Sequence, residues 1–233
     1  MVCIKAVVLA GGYGKRLRPL TDTIPKPLVE VAGKPIIEWQ VEWLKSHGIT
    51  SFVFLVGYLK EKVIEYFDSR VGELGIEAEY SYESVPLGTG GALKNAQKLL
   101  SGEKSFFMLN GDNITNIEIS KMKLDGSIAS IALVPLRSTY GITHLEGDRI
   151  SRFDEKPILP EYWMNSGIYL MTNEIFRHLP ESGNMESTTF VELSASRKLM
   201  GLKFPNAYFK GVDSLKDMEE ATADIKAGKV FVN

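Results

Sequence analysis

Two rhythms of apolar and polar positions alternate through the first half of the chain. "IKAVVLA" is a near-continuous apolar run of strand length, the pattern of a strand buried on both faces. "PIIEWQVEWLKSHG" sets Ile37, Val41 and Leu44 on one helical face and Glu38, Glu42 and Lys45 elsewhere. Pro35 and Gly48 punctuate that helix at its start and end. "SFVFLVG" predicts the next strand, "LKEKVIEYFDSR" a helix, "IEAEYSYE" a strand of period two, "GALKNAQKLL" a helix, and "SFFMLNGD" a strand ending in a turn. This β-α-β-α-β-α-β order predicts an α/β fold, a parallel sheet wrapped by helices through right-handed crossovers. Ligands of such sheets bind at the carboxyl ends of the strands. The loop "GGYGKRLRP" after the first strand and the turn "NGDN" after the fourth therefore open on one edge.

The second half changes character. "IASIALVPL", "GITHLEGDRISRFDEKP" and "NSGIYLMT" read as strands with a more antiparallel flavour. "TTFVELSASRKLMG" and "SLKDMEEATADIKAG" read as helices, and Ser214 followed by Asp217 resembles a capping box. With no linker, low-complexity run or hexapeptide repeat, residues 1–233 read as a single mixed α/β domain with no C-terminal β-helix.

Composition narrows the function classes. At 44% hydrophobic and 24% charged residues, the 233-residue chain matches an ordinary globular protein. A net charge of -2 and a pI near 6.0 give no global basic field for nucleic acid or an anionic membrane, so any affinity for phosphate is local. The single cysteine, Cys3, permits no internal disulfide and reads as a buried thiol. His47, His144 and His178 have no metal-ligand spacing and read as structural or surface residues. Neither a signal peptide nor an apolar stretch of membrane-spanning length is present, which points to the cytoplasm.

Local phosphate chemistry is concentrated in the first loop. It fails as a dinucleotide fingerprint, because Leu17 stands where G-x-G-x-x-G counted from Gly12 needs its last glycine. It fails as a Walker A loop, because Arg16 follows Lys15. Gly11, Gly12 and Gly14 still let a backbone approach a ligand and present N–H groups as an anion site. Lys15, Arg16, Arg18 and Lys26 add cationic side chains over the same stretch.

"LAGGYGKRLRPLT" followed by "PKPL" resembles the signature of the sugar-1-phosphate nucleotidylyltransferases. "GKPIIEWQ", "PLGTGGAL", "NGDN", Tyr140–Gly141, "FDEKP" and "NSGIYL" follow in that family's order, from Lys5 to about Leu170, with a weaker tail near "FKGVDSLKD". The resemblance implies a Rossmann-like, mixed and mainly parallel sheet flanked by helices. About 1–115 would form a nucleotide-binding half and about 116–233 a sugar-phosphate-binding half. It implies a reaction in which a sugar 1-phosphate oxygen attacks the α-phosphorus of a nucleoside triphosphate and pyrophosphate leaves, with Mg²⁺ as cofactor.

Site roles follow from the same resemblance. Arg16 would clamp the triphosphate and Lys26 would reach the α-phosphate region, while the backbone of Leu9, Ala10, Gly11 and Gly12 would pass the base and ribose. Lys15 replaces the small residue common in the family and reads as a further phosphate contact or a solvated side chain. Gly88 and Thr89 open a helix whose lack of bulk would let the base approach. Glu83 occupies a position where many thymidylyl and uridylyl members carry a base-reading Gln; it reads either as an acceptor for the guanine N1–H and N2–H₂ donors or as a surface residue. Glu155 and Lys156 match the family's sugar pair, with Gly141, Asn165 and Gly167 completing the sugar pocket, and Tyr140 stacking or packing nearby.

Asp112 in "NGDN" is the first metal candidate, since Mg²⁺ favours one or two carboxylates with phosphate oxygens and water. Many members supply a second aspartate from W-x-D-[IV]-G-T, and here Gly211 falls at that place. Asp213 lies two residues later, as in glucose-1-phosphate cytidylyltransferases, and reads as the second ligand or as a helix cap. "PLGTGG" resembles the guanylyltransferase side of the family, giving GTP with mannose or heptose 1-phosphate as the expected pair. A uridylyl-, thymidylyl- or cytidylyltransferase on glucose 1-phosphate, or an inactive nucleotide-binding regulatory subunit favoured by Gly211, are the alternatives. A homodimer is left open.

Overall fold

Alternate residues of Ala6–Ala10 (β1) leave the central sheet on opposite sides in the computed structural model, which describes residues 4–230. Ala6, Val8 and Ala10 join Phe52, Phe54 and Val56 of Ser51–Val56 (β2) against the apolar faces of α1 (Ile36–Ser46) and α2 (Lys60–Asp68). Val7, Val53 and Leu55 pack on the other face, under α3 (Gly88–Asn95). With both faces covered, these strands need apolar residues at every position, which is why β1 and β2 read as runs and not as alternations.

Strands β3 (Glu77–Tyr82) and β4 (Ser105–Asn110) complete the parallel first half, in the spatial order β4-β1-β2-β3. After β4 the chain forms β5 (Asn113–Thr115), β6 (Ala129–Arg137), the antiparallel hairpin β7 (Ile142–Glu146) with β8 (Arg149–Asp154), and the long β9 (Ile158–Thr172). Next come α4 (Thr189–Ala195), β10 (Leu199–Lys203), β11 (Phe209–Gly211) and α5 (Leu215–Lys226). The main sheet has seven strands in the order β10-β6-β9-β4-β1-β2-β3, and β9 runs antiparallel to both its neighbours. This is the mixed, mainly parallel sheet flanked by helices that the pattern predicts.

Two local expectations change. The helix read over "TTFVELSASRKLMG" stops at Ala195, Arg197 takes a left-handed φ of 56°, and Leu199–Lys203 becomes an edge strand parallel to β6. Pairing from Leu199 with Ala129 to Lys203 with Leu133 satisfies backbone groups that a longer helix would have satisfied internally. Glu38, expected away from the apolar face of α1, is only 5% exposed. Its carboxylate accepts from the Tyr66 hydroxyl and pairs with Arg70 at 2.9 Å, the partnership a buried charge requires.

Among the described residues no helix is long and apolar enough to cross a membrane. The expected buried thiol, Cys3, lies outside the described residues.

Candidate functional site

The position of the site follows from strand order. From β1 the chain crosses through α1 to β2 on one side, while β4 pairs with β1 on the other. Loops leaving β1 and β4 therefore diverge at a topological switch point, where open α/β sheets form a crevice. Leu9 pairs with Asn110, so the glycine loop and the turn "NGDN" start side by side. The Gly111 N–H donates to the Leu9 carbonyl at 3.0 Å. A Cβ on Gly111 would strike that same oxygen, so only glycine permits the approach.

A cleft of about 320 Å³ opens here. Leu9, Gly11 and Gly12 line it from the first loop, and a Cβ built on Gly12 would meet nothing within 4 Å, so that backbone faces open space. Glu83 lines it from just past the end of β3, Gly88 and Thr89 from the start of α3, and Lys26 and Asp112 complete its polar end. Ala10 is buried with its side chain in the core, leaving only its backbone near the loop. Gly14 precedes the single helical turn Lys15–Leu17, and the Lys15 ammonium stands 5.6 Å over the Tyr13 ring.

Four residues singled out from the sequence form one ionic cluster. Lys26 Nζ donates to Asp112 Oδ2 at 2.7 Å and to Asp213 Oδ1 at 2.6 Å. Arg16 Nη2 reaches the same Asp213 oxygen at 2.8 Å. The Lys26 side chain is 13% exposed and that of Arg16 75%, so the lysine is the buried member of the cluster and the arginine the solvent-facing one. Asp213 does not cap α5: Ser214 does, its Oγ accepting from the Asp217 N–H at 3.2 Å. The pairing of β11 with β5, together with Val212 N–H donating to the Asp112 carbonyl at 2.9 Å, brings this distant segment to the turn.

Glu83 sits in the cleft and not on the outer surface. One carboxylate oxygen accepts from the Leu87 N–H at 2.7 Å, and the other faces Gly11, where a Cβ would come within 2.7 Å of it. Burial pushes its carboxyl above the ordinary glutamate range, against the Leu87 hydrogen bond that pulls the other way.

The sugar-side expectations divide. A register shift in β9 between Asn165 and Tyr169 makes a bulge, in which Gly167 N–H donates to Asn165 Oδ1 at 2.8 Å. Asn113 Nδ2 donates to the Ser166 carbonyl at 2.9 Å, which joins this bulge to the Asp112 turn. None of the expected sugar-side residues lines the cleft itself: Asn165 and Gly167 lie behind the Asp112 turn, and among the described residues Gly141, Glu155 and Lys156 have no such link to it. Gly141 packs on the Phe153 ring, and the Glu155 and Lys156 side chains are exposed, 3.8 Å apart.

Sequence reasoning missed Asn184, which also lines the cleft. Its Oδ1 accepts from the Thr89 N–H at 3.2 Å, and Thr89 Oγ1 in turn donates to Glu186. "GNM" signals a turn, but nothing local says that it returns to a helix start 95 residues earlier. The histidines pair with separate carboxylates: His47 with Glu118, His144 with Asp154 and His178 with Glu192.

Comparison with known proteins gives concordant matches. The nucleotidyl transferase family model matches residues 5–227. The D-glycero-alpha-D-manno-heptose 1-phosphate guanylyltransferase of Campylobacter jejuni is 39% identical over 176 residues, covering 74% of this chain and 78% of its own. The mannose-1-phosphate guanyltransferase of Yarrowia lipolytica is 35% identical over 230 residues, 94% of this chain, which spans 63% of that relative's length. Among solved structures, HddC of Yersinia pseudotuberculosis complexed with GMP-PN superimposes with a TM-score of 0.72 at 26% identity, over 95% of this chain and 99% of that one.

Proposed function

The chain belongs to the sugar-1-phosphate nucleotidylyltransferase family, and on that premise we propose that it transfers a guanylyl group from GTP to mannose 1-phosphate or a heptose 1-phosphate. The observation that carries this reading is the ionic cluster of Arg16, Lys26, Asp112 and Asp213 at the polar end of a glycine-lined cleft. A phosphate oxygen of the sugar 1-phosphate attacks the α-phosphorus, a P–O bond forms there, and the bond to the β-phosphate bridging oxygen breaks to release pyrophosphate. Such a reaction asks chiefly for positioning and charge stabilisation. Arg16, the solvent-facing member, would hold the departing pyrophosphate, and Lys26 the α-phosphate. Leu9, Ala10, Gly11, Gly12 and Gly14 would supply backbone around the nucleotide, with Lys15 at its outer edge.

Members of this family generally use a divalent metal, and we propose Mg²⁺. Among the described residues no group of three or more His, Cys, Asp and Glu side chains converges. Two carboxylates do, since Asp112 and Asp213 both bond one ammonium. A pair of carboxylates fits an ion that takes its other ligands from phosphates and water. Asp112 and Asp213 would hold it, and when bound it would neutralise charge on the triphosphate. The sugar 1-phosphate would lie toward Asn165 and Gly167, with Gly141, Glu155 and Lys156 approaching from outside the cleft. On this reading the halves meet at the metal, because Asp213 comes from the second and Asp112 from the first. A cytoplasmic placement belongs to the same reading.

Glu83 supports guanine. Its free carboxylate oxygen accepts and does not donate, which matches the adjacent N1–H and N2–H₂ donors of guanine, a donor pair that adenine, cytosine, uracil and thymine do not present side by side. Glu83→Gln is expected to raise the KM for GTP about tenfold or more with little change in kcat, because an amide brings a donor against donors. Protonation has the same consequence. Because burial raises its pKa, Glu83 takes its proton at a higher pH than a solvated glutamate does. The KM for GTP therefore climbs on acidification, and the climb disappears in Glu83→Gln; a wild-type KM that stays flat down to the ordinary glutamate range removes Glu83 from base recognition.

The reading as a whole is tested by pyrophosphate release with Mg²⁺, crossing GTP, UTP, dTTP, CTP and ATP with mannose, glucose and heptose 1-phosphates. GTP with mannose or heptose 1-phosphate is the expected best pair. Preference for UTP, dTTP or CTP with glucose 1-phosphate replaces the substrate assignment, and silence from folded protein favours an inactive regulatory subunit.

A further inference from the structure

We propose that Gln40, a buried residue of α1, is the positioning residue for the metal carboxylate Asp112. Gln40 is 2% exposed, in a helix whose other buried positions are apolar except for Glu38, which is paired with Tyr66 and Arg70. Its Nε2 donates to the carbonyl of Asn110 at 2.7 Å and to that of Asn113 at 2.9 Å, so one amide group grips the turn on both sides of Asp112. Its Oε1 is buried and has no hydrogen-bond partner among the described residues. A side chain needed only to fill space would be apolar here, since an unsatisfied buried carbonyl costs stability. What the amide supplies, and Leu or Met cannot, is two N–H donors.

Those donors act on a turn that needs them. Asn110 ends β4 and Asn113 begins β5, and between them Gly111 passes so close to the Leu9 carbonyl that no side chain fits. The turn is therefore defined at its rear by Gln40, at its base by β1, and at its far side by Asn113 Nδ2 bonding the Ser166 carbonyl. Asp112 projects from its front to Lys26. α1 itself is anchored in the core by Ile37, Val41 and Leu44, so the amide is held by a rigid element. Groups that hold a liganding carboxylate's backbone act on the metal without touching it.

The inference rests on Asp112 being a metal ligand, and the test keeps the two apart. Mn²⁺, with GTP bound, would be titrated into wild type, Gln40→Met, Gln40→Glu and Asp112→Asn and followed by its paramagnetic resonance signal. GTP affinity in EDTA and the thermal midpoint would be measured alongside. Gln40→Met is expected to weaken Mn²⁺ about tenfold or more, with GTP affinity in EDTA held within about twofold, because Gln40 does not line the cleft and its hydrogen bonds go to Asn110 and Asn113. Gln40→Glu keeps the shape, and when protonated by its burial it donates to one carbonyl only, so its loss falls between. It also decides the matter if Gln40→Met does not fold. Wild-type Mn²⁺ affinity in a folded Gln40→Met or Gln40→Glu overturns the positioning role. Undiminished Mn²⁺ binding in Asp112→Asn overturns the metal reading itself, and this inference with it.

Discussion

Lys26→Met is expected to lower kcat by about 10²–10³-fold, the usual consequence of removing one preorganised charge from a transition state, while the nucleotide-free protein gains affinity for divalent cations. Both halves of the expectation come from one geometry. Pro25 and Pro27 flank Lys26 in a short helical turn, with Leu28 N–H bonded to the Pro25 carbonyl at 2.8 Å, so its backbone has little freedom. The ammonium lies between Asp112 and Asp213, two like charges it holds together. On the proposed reading, Asp112 and Asp213 would hold the cation when nucleotide is bound, and the Lys26 ammonium would then be available to the α-phosphate. A methionine keeps the stem's volume and cannot do either. Without Lys26, the two carboxylates lose the cation they share, only the exposed Arg16 remains against Asp213, and a divalent cation is favoured in its place. Turnover by pyrophosphate release and Mn²⁺ titration of the nucleotide-free protein measure the two effects separately. A variant with near wild-type kcat removes Lys26 from the reaction. A variant with lowered turnover and unchanged Mn²⁺ affinity leaves it as a phosphate ligand only.

How much of this was legible in the sequence depends on the range of the interaction. β1 and β2 were visible because burial on two faces writes a continuous apolar run, and α1 because burial on one face writes a 3.6-residue stripe. The glycine loop and the Asp112 turn could be brought to one edge from topology alone, since parallel strands must all end on the same side. Leu199–Lys203 was not legible: five residues carry little periodicity, and the free edge of β6 decides their conformation. Asn184 was invisible for a related reason, since its contact with the start of α3 depends on how two halves of the chain pack. In the sequence Gln40 is one more polar residue of a helix; only its burial beneath the turn reveals what it grips. Glu155 and Lys156 show the opposite case, a motif pair visible in sequence whose side chains stand outside the cleft.

Asp213→Asn is expected to cost turnover about a hundredfold, by the same electrostatic argument, and Gly211→Asp on that background is expected to return part of it. A strand sends residues i and i+2 to the same face. Gly211 ends β11 and Asp213 follows it by two, with the intervening Val212 fully buried in the opposite sense. If the extended geometry runs on past Gly211, the Asp213 carboxylate would share one face of the chain with position 211, and it meets Lys26 at 2.6 Å and Arg16 at 2.8 Å. Space exists for its return, because a Cβ on Gly211 would touch only Asn113 Oδ1, at an ordinary 3.6 Å. Gly211→Asp alone, with Asp213 present, would change little or would tighten the cation further. The double variant is the informative one. Recovery of activity together with Mn²⁺ affinity means that the site requires a second carboxylate and tolerates either position. Recovery of Mn²⁺ affinity without activity means that Asp213 also orients Arg16 toward the pyrophosphate, a task that position 211 cannot perform. Full activity in Asp213→Asn alone eliminates the second carboxylate from the reaction and leaves Asp112 to hold the metal with phosphate oxygens and water.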